Sequence, residues 1–439
     1  ASERYKVSRS VPAHPGGGAR RMTTPPDQTS IPPVLILNQY YAPDVASTGH
    51  LLHELAGDLA KQGFPVRVIT CRPSYGPKET WVACPLRENK DGVDVRRMIT
   101  TRFSKDGMVG RAINITTFFL PLLVRMLLTS RKNDVHLYTT NPPFLGVIGA
   151  VVSLFRRHRY VQLLHDSHPQ VGIWVGKVRK GSFIERLWHR ANRLMYKRAE
   201  QTIVLCEAAK TLLCDTYGIP ESRVHVIHNW ADPRELTPKP KTSSEFARQH
   251  GLVEPFTVMY SGNLGLYYEF ETVLRAAEIL RHENFRLVLV GSGGRRNWIA
   301  DEIKKRNLTN TLLLPYQPYE RLSDSLSASD AQLVTIAKGI EGISFPSKLY
   351  SAMAVARPII ALSEHWSEMR RIVEDNQVGR WSEIGDAEAL VRVLREMMND
   401  REACRKMGEN ARRTLEEKFT ISVAAKAYGD VLRQAGDRR

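Results

Sequence analysis

Cysteine is scarce in this chain of 439 residues, and the five present (Cys71, Cys84, Cys206, Cys214 and Cys404) are scattered, with no C-x-x-C pair. Such spacing argues against a disulfide framework or a thiolate zinc site and favours a reducing compartment. Long apolar runs are missing as well. Residues 1–32 hold no continuous apolar segment of the roughly 7–15 residues that a secretory leader needs. Their Pro, Gly, Ser and Thr content reads as a flexible tail, with Met22 as a natural start. No stretch reaches the roughly 18 uncharged apolar residues of a membrane-spanning helix. "FFLPLLVRMLL" is interrupted by Arg125, and "FLGVIGAVVSLF" stops at Arg156.

Familiar nucleotide signatures are also absent. "LVGSGG" is not the dinucleotide fingerprint, because G-x-G-x-x-G would need glycine where Arg296 stands, and no G-x-x-x-x-G-K-[ST] loop occurs. Nor is there a D-x-D to hold a divalent metal between phosphates, so neither metal nor cofactor is expected.

Acidic residues are few in one region. Between Arg96 and Arg198 there are 19 Lys and Arg against four acids, within a chain of net charge +17. That excess suits nucleic acid, an anionic membrane or a phosphorylated substrate. Nucleic acid is the weakest of these, since no aromatic-interleaved basic sheet, helix-turn-helix or zinc spacing accompanies the charge. The cations edge apolar segments. Arg111, Phe118, Phe119 and Arg125 mark the first; Arg156, Arg157 and Arg159, then Lys177, Arg179 and Lys180, follow others. An interfacial element on an anionic leaflet needs this combination, at about 1 kcal/mol per basic residue close to the surface. The other reading is a core helix with solvated arginines on its outer face.

What is present is a rhythm. "VLILNQY", "PVRVIT", "DVHLYTT", "RYVQLLH" and "AEQTIVLC" are apolar strands separated by amphipathic helices, with a long irregular stretch after the second. The alternation restarts at "FTVMYSG" and continues through "FRLVLVGSG", "TLLLPYQ", "AQLVTIA" and "RPIIALS". The pattern predicts an α/β protein of two doubly wound, Rossmann-like halves in tandem, over residues 33–232 and 255–439, with a Pro/Lys-rich linker at 233–254. The last helix is placed back against the first domain. Ligands of such sheets lie in the crevice at the strands' carboxyl ends.

Several loops would meet a ligand there. "MYSGNLG" offers Gly262, Asn263 and Gly265, and "LVGSGG" offers Gly291 and Gly293. Each suits either a phosphate contact or a plain strand-to-helix turn. In "GISFPSKLYSAMA", Pro346 fixes the entry to a helix, Ser347 is a candidate N-cap, and Lys348 falls in the first turn. A cation there opposes the helix dipole by a few tenths of a kcal/mol; a docked diphosphate would give it a purpose. "LLHDSHPQ" sets His165 and Asp166 just past a strand, where structural and ligand-facing roles both stand open.

Taken together, "LNQYYAPDVASTGHLLHELAGDLA", "YTTNPPFLGVIG", "VIHNWADP", "MYSGNLG" and "FPSKLYSAMAVARPIIA" resemble the retaining glycosyltransferases of family four, which have the GT-B fold. The likeness is strongest to bacterial enzymes for colanic acid, O-antigen and amino-sugar transfer onto lipid-linked acceptors. It implies that Gly49 approaches the donor diphosphate, and that His165 and Asp166 sit by the transferred sugar. It also implies that Asn229, Asn263 and the nearby glycines line the donor pocket. Tyr316 and Gln317 would meet the nucleobase, while Ser347 and Lys348 bind the diphosphate. Two departures stand out. The Arg and Lys usual after the first strand of the second domain are missing from "SGNLGLYYEFE". The paired glutamates fall at Ile343 and Ser351, with Glu341 near the first, which leaves the ribose contact open.

The expected reaction is metal-independent transfer, with retention, from a nucleotide-diphosphate sugar (UDP by family habit) to a polyprenyl-diphosphate-linked or other glycan acceptor. The expected place is the inner face of the plasma membrane, with no nucleic-acid partner. A nucleotide-sugar 2-epimerase on the same fold is the rival enzyme reading.

Overall fold

The computed structural model describes residues 31–44, 46–74, 81–103, 108–156 and 158–437, apart from the side chains of Met108 and Arg111. Most of the expected tail and Arg157 therefore lie outside the described residues, as does the side chain of Arg111.

The first sheet contains β1 (Val34–Leu37), β2 (Val66–Cys71), β3 (Arg87–Lys90), β4 (Val93–Met98), β5 (Val135–Tyr138), β6 (Arg159–Leu164), β7 (Gln201–Val204) and β8 (Val224–Val226). They run in the order β3-β4-β2-β1-β5-β6-β7-β8, parallel except for β3 against β4. β1, β5 and β7 are buried at every position, because parallel strands covered on both faces have no wet side. The covering helices are α1 (Ser47–Lys61), α2 (Met108–Thr129), α3 (Leu145–Phe155), α4 (Gln170–Trp174), α5 (Phe183–Arg198) and α6 (Glu207–Tyr217).

The second half opens with α7 (Glu245–Gln249) and β9 (Phe256–Ser261). It continues through α8 (Glu271–Ile279), β10 (Phe285–Val290), α9 (Arg296–Lys305), β11 (Thr311–Leu314), α10 (Leu322–Ser327) and β12 (Ala331–Thr335). α11 (Lys348–Ala354), β13 (Ile359–Ser363), α12 (Glu368–Asp375), β14 (Gly379–Glu383), α13 (Ala387–Asn399), α14 (Arg401–Lys418) and α15 (Ile421–Asp437) complete it. Its six strands are all parallel, in the order β11-β10-β9-β12-β13-β14. α15 leaves this domain and packs on α1 beside β5 and β6. Both sheets are doubly wound, so each has a crevice where its strand order reverses, at β1/β5 and at β9/β12.

Two expectations change. The stretch 233–254 is not a free linker. Lys241 Nζ meets Asp330 at 2.5 Å and Pro255 O at 2.7 Å, and Asp324 of α10 accepts from Ser244 Oγ and Phe246 N. The crossing between domains is shorter and is held by Arg412 of α14, which donates to Pro233 O and Leu236 O, both at 2.9 Å. The first partial apolar run also reads differently, because α2 is one helix that continues through Pro121. By length and composition alone its Ala112–Thr129 stretch could cross a membrane. Yet Phe118, Leu122 and Met126 on one side are buried in the first domain's core. Asn114 on the same side bonds Thr101 Oγ1 at 2.9 Å and Phe103 N at 3.0 Å. The helix therefore lies along the domain as a half-buried layer.

Candidate active site

The loops that follow β9 and β10 stack backbone on backbone. Gly262 (φ 134°), Gly291 (φ 142°) and Gly293 (φ 153°) turn them through conformations that side chains disfavour. Gly262 N donates to Val290 O, and Leu264 N to Ser292 O, each at 2.9 Å. A Cβ on Gly291 would fall 1.9 Å from Gly262 O, and one on Gly293 2.5 Å from Asn263 Oδ1. Loop stacking alone accounts for these two glycines. Asn263 is exposed at the tip, and Gly265 is buried beside its amide.

Lys348 reaches this stack from the mouth of α11. A Cβ on Gly262 would meet Lys348 Cε at 2.5 Å, so the ammonium end lies directly against the Gly262 backbone. Nζ stands 4.1 Å from the ring centroid of Tyr268 and 5.0 Å from that of Tyr260. No carboxylate pairs with it among the described residues, and burial lowers its ammonium to about 7. Ser347 occupies the N-cap position, but its side chain makes no capping bond. Pro346 is buried, and Ser351 lies one turn into α11, half-buried.

Across the cleft, His165 and Asp166 follow β6, and both backbone N–H groups donate to Thr140 Oγ1, at 3.1 and 3.3 Å. Burial holds the His165 imidazole well below its ordinary value against the pull of Asp166, and its Nδ1 has no partner among the described residues. Tyr268 is pushed up to about 12, first by burial and then by the Asp166 charge, which places Asp166 in electrostatic reach of the tyrosine beside Lys348. The domains also touch directly. Ser167 N donates to Ile343 O at 2.8 Å, and Trp174 Nε1 to Lys338 O at 3.0 Å.

Residues 48–230 match the family model described as "Glycosyl transferase 4-like domain", and residues 243–414 match "Glycosyl transferases group 1". The chain carries the two domains of a GT-B glycosyltransferase. It is 26% identical over 370 residues to "Probable glycosyltransferase WbjE" of Pseudomonas aeruginosa, covering 83% of this chain and 89% of that protein. Its fold is similar to that of Anabaena Alr3699/HepE solved in complex with UDP, with TM-score 0.69 and 17% identity over 91% of this chain and 99% of that one. It is also similar to WaaG, a glycosyltransferase involved in lipopolysaccharide biosynthesis, with TM-score 0.66 and 16% identity over 91% and 99% of the two chains.

In this glycosyltransferase the remaining candidate residues fall into distinct places. Tyr316 is 60% exposed after β11, and Gln317 Nε2 donates to Pro315 O at 3.0 Å. Gly49 is buried in the first turn of α1, where a Cβ would stand 3.1 Å from the Tyr40 and Tyr41 backbone, so helix-to-loop packing explains its smallness. Asn229 is buried at the domain crossing, beside Trp230, whose indole donates to Glu54 Oε2 at 2.7 Å. His50, Glu54 and Glu235 place ligand atoms within 4.8 Å of one another. Trp230 and the Tyr319 hydroxyl already donate to those carboxylates, and Tyr319 also meets His50 at 3.1 Å, which ties α1 to the second domain.

Glu341 is corrected. Its carboxylate accepts from Ser367 Oγ at 2.7 Å and from Glu368 N at 2.9 Å, so it caps α12 and has little left for a ribose. Glu368, which the sequence did not single out, is pushed up to about 7 by burial. It accepts from Glu207 N of the first domain at 2.6 Å and lies 3.4 Å from His228 Nε2.

The surface patch also changes membership. Phe118 is buried in the core and Phe119 is half-buried. Arg125 lies near Arg96, Arg87 and Arg67 at the sheet edge, and Arg159 is half-buried as it opens β6. Arg156 stays exposed but spends Nε on Leu127 O at 2.7 Å; Lys177, Arg179 and Lys180 are exposed. The apolar part belongs to other residues. Leu120, Val124 and Leu128 of α2, Leu154 and Phe155 of α3, and Phe183, Ile184 and Leu187 of α5 are each more than half exposed, and α3 packs against both other helices. Cations on an outward helix face drew attention in the sequence; the apolar residues at 183, 184 and 187 were the signal passed over.

Proposed function

We propose that this glycosyltransferase moves a sugar from a nucleotide diphosphate, UDP first among carriers, to a lipid-linked glycan acceptor in bacterial surface-polysaccharide assembly. The observation that carries the reading is Lys348: a lysine with no acidic partner, pressed against the Gly262 backbone at the switch point of the second sheet. Breaking the anomeric C–O bond leaves negative charge on the diphosphate. A preorganised cation and backbone amides stabilise that charge by about 3–4 kcal/mol per well-placed donor. Lys348 and the amides of Asn263 and Gly265 fill this role, with Ser347 beside them, while the Gly262 and Leu264 amides are spent on Val290 O and Ser292 O. Tyr316 and Gln317 flank the nucleobase. His165 and Asp166 on the opposite wall face the sugar as oxocarbenium character develops, and the acceptor hydroxyl enters on the leaving-group side, retaining configuration. No metal is assigned.

UDP bound to the similar Anabaena protein and the lipopolysaccharide role of WaaG support the donor and pathway class. The acceptor side follows from the outer layer of α2, α3 and α5, whose exposed apolar residues and cations suit an anionic leaflet at the inner membrane face. Thermal shift against UDP-, GDP- and TDP-sugars tests the donor, because a ligand at 100 times its Kd adds about 2.7 kcal/mol. A rise with one nucleotide class and sugar transfer from it supports the reading; release of epimerised free nucleotide-sugar replaces it with the epimerase.

A further inference from the structure

The segment "LYYEF" after β9 lacks the two cations that the resemblance implies beside the diphosphate, and it carries an aromatic pair, Tyr267 and Tyr268. Tyr268 faces Lys348 Nζ at 4.1 Å from its ring centroid, and Tyr260 of β9 faces it at 5.0 Å. The two rings meet edge to face with centroids 5.8 Å apart. Tyr260 is fixed further by its hydroxyl, which donates to Asn263 O at 2.6 Å, and by Phe270, whose ring centroid lies 5.0 Å away. The ammonium thus sits in the corner made by two aromatic rings.

We propose that Tyr268 is a positioning residue: its ring face, with that of Tyr260, steadies the Lys348 ammonium in place of an acidic partner and so keeps it free for a diphosphate. The inference rests on the diphosphate reading of Lys348 given above. The physical reason is the sign of each neighbour. A carboxylate would repel the diphosphate and have to be displaced by it. A second cation would push the proton off the lysine. An aromatic face attracts a cation through its quadrupole yet carries no net charge that competes with phosphate. The titratable groups facing the ammonium are Tyr260 and Tyr268; behind them, Tyr267 and Asp166 lie in electrostatic reach of one another, and Asp166 also reaches Tyr268.

The test is titration of the full chain with UDP and, separately, with uridine, for wild type, Tyr268→Phe and Tyr268→Leu. Tyr268→Phe keeps the face and should bind UDP within about twofold of wild type; Tyr268→Leu should bind UDP about tenfold more weakly. Uridine, which lacks phosphate, should bind all three alike. The pH above which UDP affinity declines should also move lower in Tyr268→Leu than in wild type. Equal UDP affinity in Tyr268→Leu, or equal loss of UDP and uridine, overturns the inference. Should the leucine variant not fold, phenylalanines carrying increasing numbers of fluorines at position 268 keep the shape while weakening the face. UDP affinity should then fall stepwise, and a flat series overturns the inference. Wild-type protein that binds UDP no better than uridine overturns the functional reading itself instead.

Discussion

Two basic helices of this molecule treat their cations in opposite ways. α14 mixes its arginines with glutamates and pairs them locally: Arg405 with Glu402 and Glu409, Arg412 with Glu416. α5 carries Arg186, Arg190, Arg193, Lys197 and Arg198 with a single acid, Glu185, which lies by His189. None of those α5 cations forms an ion pair among the described residues. α14 exposes no large apolar side chain, whereas α5 exposes Phe183, Ile184 and Leu187 at 70%, 61% and 56%. Pairing at home leaves an ordinary solvated face; α5 instead sets cations without an acidic partner beside exposed apolar groups, the combination on which the proposed membrane contact rests. Lys348 repeats the second pattern inside the cleft.

The contrast can be broken at its strongest point first. Lys348→Ala should lower sugar transfer by about 10²–10³-fold, the usual effect of deleting one preorganised charge-stabilising donor, with melting temperature held or raised. Near-normal turnover in that variant would show that an unpaired cation here is idle.

Next comes the outer layer. Phe183→Asp with Ile184→Asp should reduce sedimentation with anionic vesicles by about tenfold or more, since each change removes apolar insertion and adds repulsion. Arg405→Glu on α14 should leave sedimentation unchanged. An equal response from both helices would erase the distinction drawn between them.

A smaller effect sharpens the comparison of buried groups. His136 and His158 lie with ring centroids 4.7 Å apart in the first domain, and burial holds both below their ordinary 6.5, His158 at about 4. A depressed histidine is neutral in the fold, so its contribution is whole above pH 6.5 and is lost as pH falls toward 4. For His158 alone the loss is about 2 kcal/mol at pH 5. Denaturant melts across that window should show the decline; flat stability would mean that the pair is hydrated. Smallest of all, Glu409→Gln on α14 should change stability by no more than about 0.5 kcal/mol, as for other exposed pairs.

The central strands were legible because apolar runs bounded by turn residues leave few other folds open. β3 and β4 were not: "RENK" is an exposed edge strand with no apolar face, and in "VDVRRM" the alternation of Val93 and Val95 is broken by the buried Arg97. β14 hides for the same reason, its "GRWSE" being mostly polar. The docking of 233–254 depends on Asp324 and Asp330, some 80 residues onward, and proline and lysine content alone cannot reveal such partners. The role of Glu341 stayed open in the sequence, because Ser367 and Glu368, which bond its carboxylate, lie some 26 residues onward. At Lys348 the sequence gives the cation and the missing companions. That Tyr260 and Tyr268 flank that cation needs the fold, because the first turn of α11 must come to the carboxyl end of β9.

The most direct measurement is a crystal structure of the UDP complex. Lys348 Nζ is expected within about 3 Å of a diphosphate oxygen, the usual length of a charge-assisted bond, with Gly262 and Asn263 lining the same phosphates. Phosphorus atoms lodged far from that amine would contradict the proposed charge stabilisation outright.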